Sequence, residues 1–598
     1  MESKVLKKRG EIQEKDKWAV NEIYSCDEEW EREYKELQEE APKLKDFEGK
    51  LGDAKVLEEY FEVNEKTSRK AEKIYVYAHL RSDEDTSNTT YQAMMNKIDA
   101  YMAEYATYTA YVVPEILALP DGTIEKLMNE NKGLEPCKFL IENILKEKPH
   151  VLDKKEEELL AAASDCLDAP SSIHNIMTNA DMKFGNIKDE DGEEVELTEG
   201  NYSSFIKSKD RNVRKAAFER LFGEYKSFEN TLATTLSSSI KVFNFGAKIR
   251  NYNSALEASL KPNDIPTEVY TNAVKTINDN LSSLHRYVKL KKKLLGLEEM
   301  HMYDLYVPVI EVPKEHVEFD KAVEMAVEGL NPLGKEYLDI FQGGIDGGWI
   351  DKYINKGKRG GAYSWGGYDT KPYVLLNYNY ELNDVSTLVH EMGHSIHSYY
   401  SRKEQSYYYA GYTLFCAEVA STTNEALLIH HLINKETDKK KKLYLINQEL
   451  EQIRTTVFRQ LMFAEFELYT HESFEKGLPL TAQDYNAKWH ELNVKYFGPD
   501  MVVDSDIDVE WSRIPHFYSD FYVYQYATGY AAASAFANSI LNGEKDAVEK
   551  YVGFLKSGGS DYPIEILKKA GVDMTTSKPL EATINRFNEL LDMLEKEI

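Results

Sequence analysis

The sequence is poor in cysteine and lacks any long apolar run. Its four cysteines, Cys26, Cys137, Cys166 and Cys416, lie far apart and form no C-x-x-C pair, which is typical of a reducing compartment. The N-terminal segment is charged and lacks the apolar stretch of a signal peptide. No run of about 18 apolar residues is present, so no membrane-spanning helix is expected. These absences predict a cytoplasmic protein without a membrane partner.

Positive charge is also scarce. Asp and Glu number 102 against 73 Lys and Arg, which gives a formal net charge of −29 at pH 7. The densest basic run, residues 439–442, sits between acidic residues and is typical of a solvated helix face. A nucleic-acid partner is not expected, because such binding needs a basic face that displaces counterions from phosphates. The 42% of hydrophobic residues exclude global disorder.

Apolar residues recur at helical spacing through most of the chain. Phe218, Leu221, Phe222 and Tyr225 fall on one apolar stripe, which predicts a helix from about Val213 to about residue 247. No fixed-period repeat is present. The fold class is therefore predicted to be mainly α. The same periodicity predicts further helices over residues 54–80, 88–112, 264–296, 436–475 and 575–596.

Few segments have the pattern of strands. Residues 182–197, with Asp191-Gly192 near their centre, predict a hairpin. Residues 372–378 (PYVLLNY) open on a proline and predict an edge strand. Nine glycines between residues 343 and 367 predict a loop before that strand. This loop is interpreted either as a set of tight turns or as a mobile cover over a substrate cleft.

A soft boundary near residue 200 divides the chain. Residues 1–200 are predicted to form an N-terminal helical domain, and residues 201–598 are predicted to form the domain that carries the chemistry. No Pro/Ser-rich linker joins the two parts, so packing as one body is compatible with the sequence.

The segment His390-Glu391-Met392-Gly393-His394 carries the strongest chemical signal. Two histidines four residues apart on a helix lie on one face, so both imidazoles can bind one metal ion. Glu391 is offset around the helix and is placed to act as a general base instead of a ligand. Asn383 or Asp384 is expected to cap this helix. The competing interpretation is a helix with two surface histidines.

A catalytic zinc needs a third protein ligand and one open position. The HExxHxxGxxH class is excluded because His397 and Tyr400 occupy its Gly and His positions. Glu418, 28 residues after His390, lies on a second predicted helix and is the expected third ligand. Glu425 lies two turns further on the same face, where it is expected either to orient a ligand histidine or to form a surface ion pair. His397, one turn past the motif, is expected to pack or to form a hydrogen bond.

These segments together resemble a known family. HEMGHSIHSYYS followed by AEVASTTNE is similar to the thimet-oligopeptidase-like zinc metallopeptidases, and most similar to the oligoendopeptidase F branch. The resemblance covers nearly the whole chain and is most specific near the C-terminus. Further matching segments are RSDEDT (81–86), the helix around residues 230–232, GAYS (361–364), PYVLLNY (372–378), IPHFY (514–518) and FYVYQYATG (521–529).

The resemblance implies a fold and a mode of metal binding. The fold would be a large, elongated helical body with a deep substrate channel, partly walled by residues 1–200, and a small β-sheet next to the HExxH helix. One Zn²⁺ per chain would be held by His390, His394 and Glu418, with Glu391 as the general base.

It also implies an activity: endopeptidase cleavage of short peptides. The family places a histidine and tyrosines as transition-state donors in the region 516–530. His516 matches that histidine, and Tyr526 is the first choice for the tyrosine, followed by Tyr522. Tyr522, Tyr526 and Tyr530 are expected to share one helix face.

Three alternatives remain open on the sequence. A zinc carboxypeptidase or dipeptidase on a related helical fold would need a group that recognises the chain terminus, and none is identified. A non-catalytic peptide-binding protein is disfavoured by the intact Glu391. A purely structural zinc site would need four closed ligands, of which three are found. The sequence sets neither the oligomeric state nor the cleavage-site preference.

Overall fold

The computed structural model describes residues 6–310 and 315–597. These residues are mostly helical, which confirms the predicted mainly α fold. Among them, no helix combines the length and the apolar character needed to cross a bilayer. Residues 1–5, with which the charged N-terminal segment begins, lie outside the described residues.

The helices are connected mainly by short turns and 3-10 segments. Those before residue 311 are α1 (Asp27–Glu40), α2 (Ala54–Glu84), α3 (Thr89–Thr109), α4 (Val112–Ala118), α5 (Thr123–Glu130), α6 (Lys138–Lys146), α7 (Lys154–Leu167), α8 (Ala169–Ile176), α9 (Glu199–Phe205), α10 (Arg211–Ser227), α11 (Glu229–Ile249), α12 (Ala255–Leu260), α13 (Thr267–Asp279) and α14 (Leu281–Leu294). Those after residue 314 are α15 (Phe319–Leu330), α16 (Lys335–Asp346), α17 (Leu382–Glu404), α18 (Leu414–Lys435), α19 (Lys439–Ile453), α20 (Arg459–Glu475), α21 (Ala482–Phe497), α22 (Tyr524–Leu541), α23 (Ala547–Ser557), α24 (Pro563–Lys569) and α25 (Lys578–Glu597).

The long helix predicted to begin near Val213 is two helices in the structure. Helix α10 ends at Ser227 and α11 begins at Glu229, because Phe228 leaves the helical region with φ −112° and ψ 10°. The apolar periodicity continues across this break, so it did not reveal a one-residue interruption. The predicted helix over 436–475 is likewise α19 and α20, joined by a π-helical turn at Arg454–Phe458.

The strands form three small sheets. They are β1 (Asn186–Lys188), β2 (Glu194–Glu196), β3 (Met300–His301), β4 (Ile350–Tyr353), β5 (Tyr363–Trp365), β6 (Tyr373–Tyr378) and β7 (Met501–Val502). Strands β1 and β2 pair antiparallel, which confirms the predicted hairpin, and β3 pairs parallel with β7. The third sheet has the order β4-β6-β5, with β4 parallel and β5 antiparallel to β6.

The prediction that residues 372–378 form an edge strand was wrong. Strand β6 is the central strand of its sheet, and the edges are β4 and β5. Pro372 precedes the first residue of the strand, so it removes no donor from the ladder. The glycine-rich stretch 343–367 is also more than a loop, since it contains the end of α16 and the two edge strands.

The chain folds into two compact units, and each is assembled from three separate segments. The first unit comprises residues 1–149, 314–431 and 536–571, and the second comprises residues 150–313, 432–535 and 572–598. This division differs from the single boundary near residue 200, because composition along the chain does not show which distant segments pack together. The HExxH segment and the three-stranded sheet belong to the first unit.

Buried charges tie the N-terminal segment to the three-stranded sheet. Asp351 of β4 is fully buried and contacts Lys358 Nζ at 2.7 Å through one oxygen and Arg9 Nη2 at 2.5 Å through the other. Lys358 Nζ also donates to main-chain carbonyls of β4 and β6. Since each carboxylate oxygen of Asp351 contacts a cationic group, its buried negative charge is compensated.

Candidate metal centre and active site

Helix α17 begins at a capping box immediately after β6. The Asp384 carboxylate accepts hydrogen bonds from the backbone amides of Asn379 and Glu381, both at 2.9 Å. Glu381 is the N-cap residue and completes the box with its own side chain. The prediction that Asn383 or Asp384 caps the helix was therefore wrong: both lie within α17, and Asp384 contributes to the cap as the third helical residue. The cap fixes the start of the helix, and so the direction in which its later side chains point.

His390 and His394 lie one turn apart on α17 and face each other. Their Nε2 atoms are 3.2 Å apart, and the two rings meet edge to face with centroids 4.9 Å apart. Both side chains are partly buried, with 27% and 17% of their surface exposed. Two imidazole nitrogens are thus presented side by side at the surface of one helix.

The carboxylate of Glu418 on α18 completes this cluster. Its Oε2 lies 3.4 Å from His390 Nε2 and 3.5 Å from His394 Nε2. One ligand atom from each of the three residues lies within 4.8 Å of the others. Within residues 6–310 and 315–597, no other group of three His, Cys, Asp or Glu side chains meets this criterion. The structure therefore brings together the three residues that the sequence analysis selected as ligands.

Helices α17 and α18 can approach closely because residue 393 is glycine. A Cβ atom at this position would lie 2.7 Å from the Cα atom of Ser421 and 3.0 Å from the carbonyl oxygen of Ala420. Asn424 then links the two helices by donating from Nδ2 to the carbonyl oxygen of Val389 at 3.0 Å. This crossing brings the Glu418 carboxylate to the histidine pair.

Glu425 contacts the other nitrogen of His390. Its Oε2 is 3.3 Å from His390 Nδ1, while its Oε1 accepts a hydrogen bond from Ser386 Oγ at 3.1 Å. Of the two interpretations of Glu425, the structure supports the one in which it orients a ligand histidine. A carboxylate on the second nitrogen fixes the tautomer that leaves Nε2 free to bind a metal.

Glu391, next to His390 on α17, is buried, with 7% of its surface exposed. The backbone of Ser364 in β5 hydrogen-bonds its carboxylate, and the Ser364 hydroxyl lies 2.8 Å from that of Ser395 on α17. Sequence reasoning included Ser364 in a matching segment but gave it no role. Its contact with Glu391 depends on the β5–α17 packing, which periodicity does not reveal.

Burial and charge shift the pKa values of the cluster in different directions. Burial raises the pKa of Glu391 to about 7, with the nearby His390 opposing this and Glu418 adding to it. Burial lowers the pKa of His390, but its hydrogen bond to Glu425 and the surrounding carboxylates raise it to about 9. Burial lowers the pKa of His394 to about 4, against the opposing effect of Glu418. The carboxylates therefore favour positive charge at His390, whereas burial disfavours it at His394.

His397 packs in the interior, as expected. It is 1% exposed and stacks on Tyr412 with ring centroids 3.8 Å apart. Phe554 of α23 covers it from another side at 5.1 Å. Burial lowers the pKa of His397 to about 3, which favours the neutral ring, and the side chain packs as an aromatic core residue on α17.

The second unit holds the other residues predicted for the site. His516, Tyr522 and Tyr526 form one aromatic cluster, with ring centroids 5.4–6.0 Å apart. The Tyr526 hydroxyl lies 3.3 Å from His516 Nε2. Burial lowers the pKa of His516, which favours the neutral imidazole. The structure thus brings these three residues together within their unit.

The expectation that Tyr522, Tyr526 and Tyr530 share one helix face was wrong. Helix α22 begins at Tyr524, so Tyr522 lies in the turn before it. Phe521 in this turn has a positive φ of 59°, and its amide donates to the buried Glu467 carboxylate at 2.7 Å. The four-residue spacing predicted a longer helix because the turn residues are as aromatic as those of the helix.

A helix bearing HExxH, joined by a carboxylate from a second helix, defines a metallopeptidase site. Comparison with known proteins agrees with this class. The family model described as Peptidase family M3 matches residues 204–586, and one described as Oligopeptidase F matches residues 115–184. The chain belongs to peptidase family M3, and it is a metalloendopeptidase.

Several relatives match over nearly the full chain. Oligopeptidase PepF of Bacillus subtilis is 48% identical over 99% of this chain and 88% of that protein. Group B oligopeptidase PepB of Streptococcus agalactiae is 42% identical over 98% of both chains. The family resemblance derived from the sequence is therefore confirmed.

Solved structures share the fold. The crystal structure of oligoendopeptidase-F from Enterococcus faecium is 40% identical, covers 96% of this chain and 99% of its own, and superposes with a TM-score of 0.73. A crystal structure from Chlamydophila abortus is 36% identical, covers 99% of this chain and all of its own, and has a TM-score of 0.95.

Proposed function

We propose that this protein hydrolyses internal bonds of short oligopeptides with one Zn²⁺ per chain, held by His390, His394 and Glu418. The observation that carries the proposal is the convergence of three ligand atoms from two helices within 4.8 Å. The names of the relatives, oligopeptidase and oligoendopeptidase, support the substrate class.

The donor set fits zinc. Two imidazole nitrogens and one carboxylate oxygen are the ligands of many catalytic zinc sites, which keep a further position open. A structural zinc site would close all four positions with protein ligands. Because the cluster in the described residues has three members, the catalytic interpretation is favoured over the structural one.

Glu391 is proposed as the group that moves the proton. When bound, zinc supplies a Lewis acid that polarises the peptide carbonyl and makes water more acidic. Glu391 takes a proton from the attacking water and then gives it to the leaving amine. Its buried position and raised pKa suit a carboxylate that must hold that proton between the two steps. The backbone of Ser364 orients the carboxylate.

Glu425 and Ser386 are proposed to orient the first ligand. Glu425 accepts from His390 Nδ1 and is itself held by the Ser386 hydroxyl. Such partners raise the basicity of a metal-binding histidine and fix its ring. They form the part of the site that keeps His390 Nε2 directed at His394 and Glu418.

His516 and Tyr526 are proposed as donors to the oxyanion that forms when water attacks the carbonyl, with Tyr522 as the second choice among the tyrosines. Their clustering and the 3.3 Å contact between Tyr526 and His516 support a shared role. The Tyr526 hydroxyl and the N–H of the His516 imidazole can both donate to an oxyanion, since a neutral imidazole, which burial favours, keeps one N–H.

The substrate backbone is proposed to pair with β5. Strand β5 is an edge strand: it pairs with β6 on one side, and no other strand of its sheet pairs with it on the opposite side. Ser364 in the same strand contacts Glu391, which would place an added peptide strand beside the general base. Main-chain pairing binds peptides with little dependence on their side chains. Strand β6 is not available for this role, because it is paired on both sides.

A reducing, cytoplasmic setting is also proposed. All four cysteines are free, and Cys137 and Cys416 are buried. Disulfides are rare in reducing compartments, and this pattern agrees with such a location.

The decisive experiment replaces Glu391 with Gln. The E391Q variant should lose turnover of a quenched fluorogenic peptide by about 10²–10⁴-fold, as for loss of general acid-base catalysis, while it keeps one zinc per chain by elemental analysis. The control is E404Q on the same helix, since in the described part of the chain the side chain of the exposed Glu404 makes a single ion pair, with Lys556 at 4.0 Å. Wild-type activity in E391Q would refute the general-base role.

End-blocked peptides separate this function from that of a carboxypeptidase or dipeptidase. An endopeptidase cleaves a peptide that is acetylated at one end and amidated at the other, whereas an enzyme that must recognise a free terminus does not. Product masses from such peptides identify the bond cut.

A further inference from the structure

A large cavity with polar, charged and apolar side chains in its walls lies within the second unit, beside the proposed oxyanion donors. Its volume is about 630 Å³, and its walls include His516, Tyr518, Asn175 and Asn179. This volume is in the range of ligand sites and is large enough for an amino-acid side chain or a chain terminus. No role in the proposed chemistry accounts for it.

Two arginine–glutamate pairs line this cavity. Arg459 Nη2 contacts Glu510 Oε1 at 2.6 Å. Arg513 donates through Nε and Nη2 to the carboxylate of Glu199, with contacts of 2.8–3.1 Å. Side-chain exposure is 14% for Arg459 and 27% for Arg513. The guanidinium groups are therefore fixed and partly shielded from solvent, which strengthens any further charged contact they make.

The carboxylate oxygens of the two glutamates already accept hydrogen bonds or are buried. Both oxygens of Glu199 accept from Arg513, and one also accepts from the Tyr225 hydroxyl. The second oxygen of Glu510 is buried and has no hydrogen-bond partner among the described residues. Neither glutamate therefore offers a free, accessible oxygen to a cationic ligand.

The donors are not all used. In the described part of the chain, Arg459 makes one hydrogen bond, through Nη2, and Arg513 makes none through Nη1. A guanidinium has five N–H donors in a rigid fork, so each arginine can hold its glutamate and a second carboxylate together. The cavity therefore presents N–H donors of two arginines that their glutamate partners leave unused.

We propose that this cavity is a substrate subsite for a carboxylate, bound by the Arg459 and Arg513 guanidinium groups. The carboxylate would come from an acidic side chain of the peptide or from its C-terminus. The inference rests on the proposed function, because His516 is both a wall residue of the cavity and a proposed donor to the oxyanion at the reacting bond.

The wild-type enzyme tests the proposal through two arms of matched peptides. In the first arm, Glu and Gln are exchanged at each position on both sides of the scissile bond of an end-blocked peptide. In the second arm, the same neutral peptide carries either a free or an amidated C-terminus. A preference of about tenfold in kcat/KM for the carboxylate at one position or at the terminus is expected, as for a charge-assisted hydrogen bond.

A variant and a matched control assign that preference to the cavity. Arg513→Gln should reduce the carboxylate-to-amide ratio of kcat/KM at least fivefold, mainly through KM. The control is Arg250→Gln in the same unit, where Arg250 makes a similar two-bond pair with Glu157 at 34% exposure but does not line the cavity. The control should leave the ratio unchanged.

The outcomes separate this inference from the proposed function. If neither arm shows a carboxylate preference while the neutral peptides are cleaved, the inference is overturned and the endopeptidase function stands. A carboxylate preference that Arg513→Gln leaves unchanged would also overturn it, because the carboxylate would then bind elsewhere. Absence of cleavage of every peptide would instead contradict the proposed function. If Arg513→Gln does not fold, the carboxylate-to-amide ratio of kcat/KM measured on the wild-type enzyme still tests the inference.

Discussion

The proposed metal ligands and the proposed oxyanion donors are held by two different kinds of local structure. His390 and His394 lie in the middle of a regular 23-residue helix, and Glu418 lies on a second helix fixed to it by Asn424. His516 and Tyr522 lie in 3-10 and turn segments before α22. The first arrangement follows from helical spacing and one close crossing. The second depends on irregular backbone that distant residues stabilise.

This difference determines how each region should respond to mutation. On the helices, a changed side chain should alter metal binding and leave its neighbours in place. In the turn, Phe521 is held at positive φ by a hydrogen bond from its amide to Glu467 of α20. Burial raises the pKa of Glu467 well above its ordinary value, so this turn depends on an acidic group in the core.

Removing the third ligand should give the largest effect. Glu418→Ala takes away the only carboxylate of the cluster in the described residues, and zinc affinity should fall by more than the about 10–100-fold typical of losing a partner of a ligand. Zinc titration against a competing chelator measures this. An E418A protein that holds zinc as tightly as wild type would show that the helix pair does not form the metal site.

Substitutions of Tyr526 and Tyr522 test the region of the proposed oxyanion donors. Tyr526→Phe should lower kcat by about 10²–10³-fold, as for loss of one oxyanion donor, with little change in zinc content. Tyr522→Phe is the matched control and should have a smaller effect, since Tyr526 carries the contact to His516. Steady-state kinetics on one neutral peptide compares them. The reverse order of effects would assign the donor to Tyr522.

Glu425→Gln tests whether metal binding by His390 depends on the carboxylate that contacts its Nδ1 atom. The amide keeps the size of the side chain but loses the charge beside His390 Nδ1, so zinc affinity should fall by about 10–100-fold. The measurement is the same chelator competition used for Glu418. The effect should be relieved by added zinc, whereas an activity loss that excess zinc does not restore would contradict a role limited to orienting His390.

The helix crossing itself can be tested by Gly393→Ala. The added methyl group would meet backbone atoms of α18 at 2.7–3.0 Å, and such overpacking should cost about 1–3 kcal/mol in the free energy of unfolding. Gly223→Ala in α10 is the control, because nothing lies within 4 Å of its Cβ position. Thermal unfolding should show a lower Tm for G393A only. An unchanged Tm would mean that α18 can move without cost.

The sequence predicted best where local spacing is sufficient. The HExxH helix, the hairpin of β1 and β2, and the second helix with Glu418 each follow from patterns of a few residues. The family resemblance selected His516, Tyr522 and Tyr526 as candidate oxyanion donors. In the structure these three residues cluster within one unit, which agrees with that selection. Their roles, like that of Glu391, remain predictions for the experiments above.

The features that the sequence missed depend on packing between distant segments. Strand β6 looked like an edge because Pro372 precedes it, whereas its two neighbours come from glycine-rich stretches with weak strand patterns. The contacts of Ser364 with Glu391 and of Asn424 with Val389 join residues 27 and 35 positions apart. Periodicity carries no information about such contacts.

The interleaving of the two units has a consequence for synthesis of the chain. The first unit receives its third segment only at residues 536–571, and the second receives part of its core from α25 at residues 578–597. Both units therefore stay incomplete while most of the polypeptide leaves the ribosome, although all three metal-ligand candidates have already emerged. Helix α23, which covers His397 behind these ligands through Phe554, comes more than 120 residues after Glu418. We expect stable metal uptake to occur late, after this helix has docked.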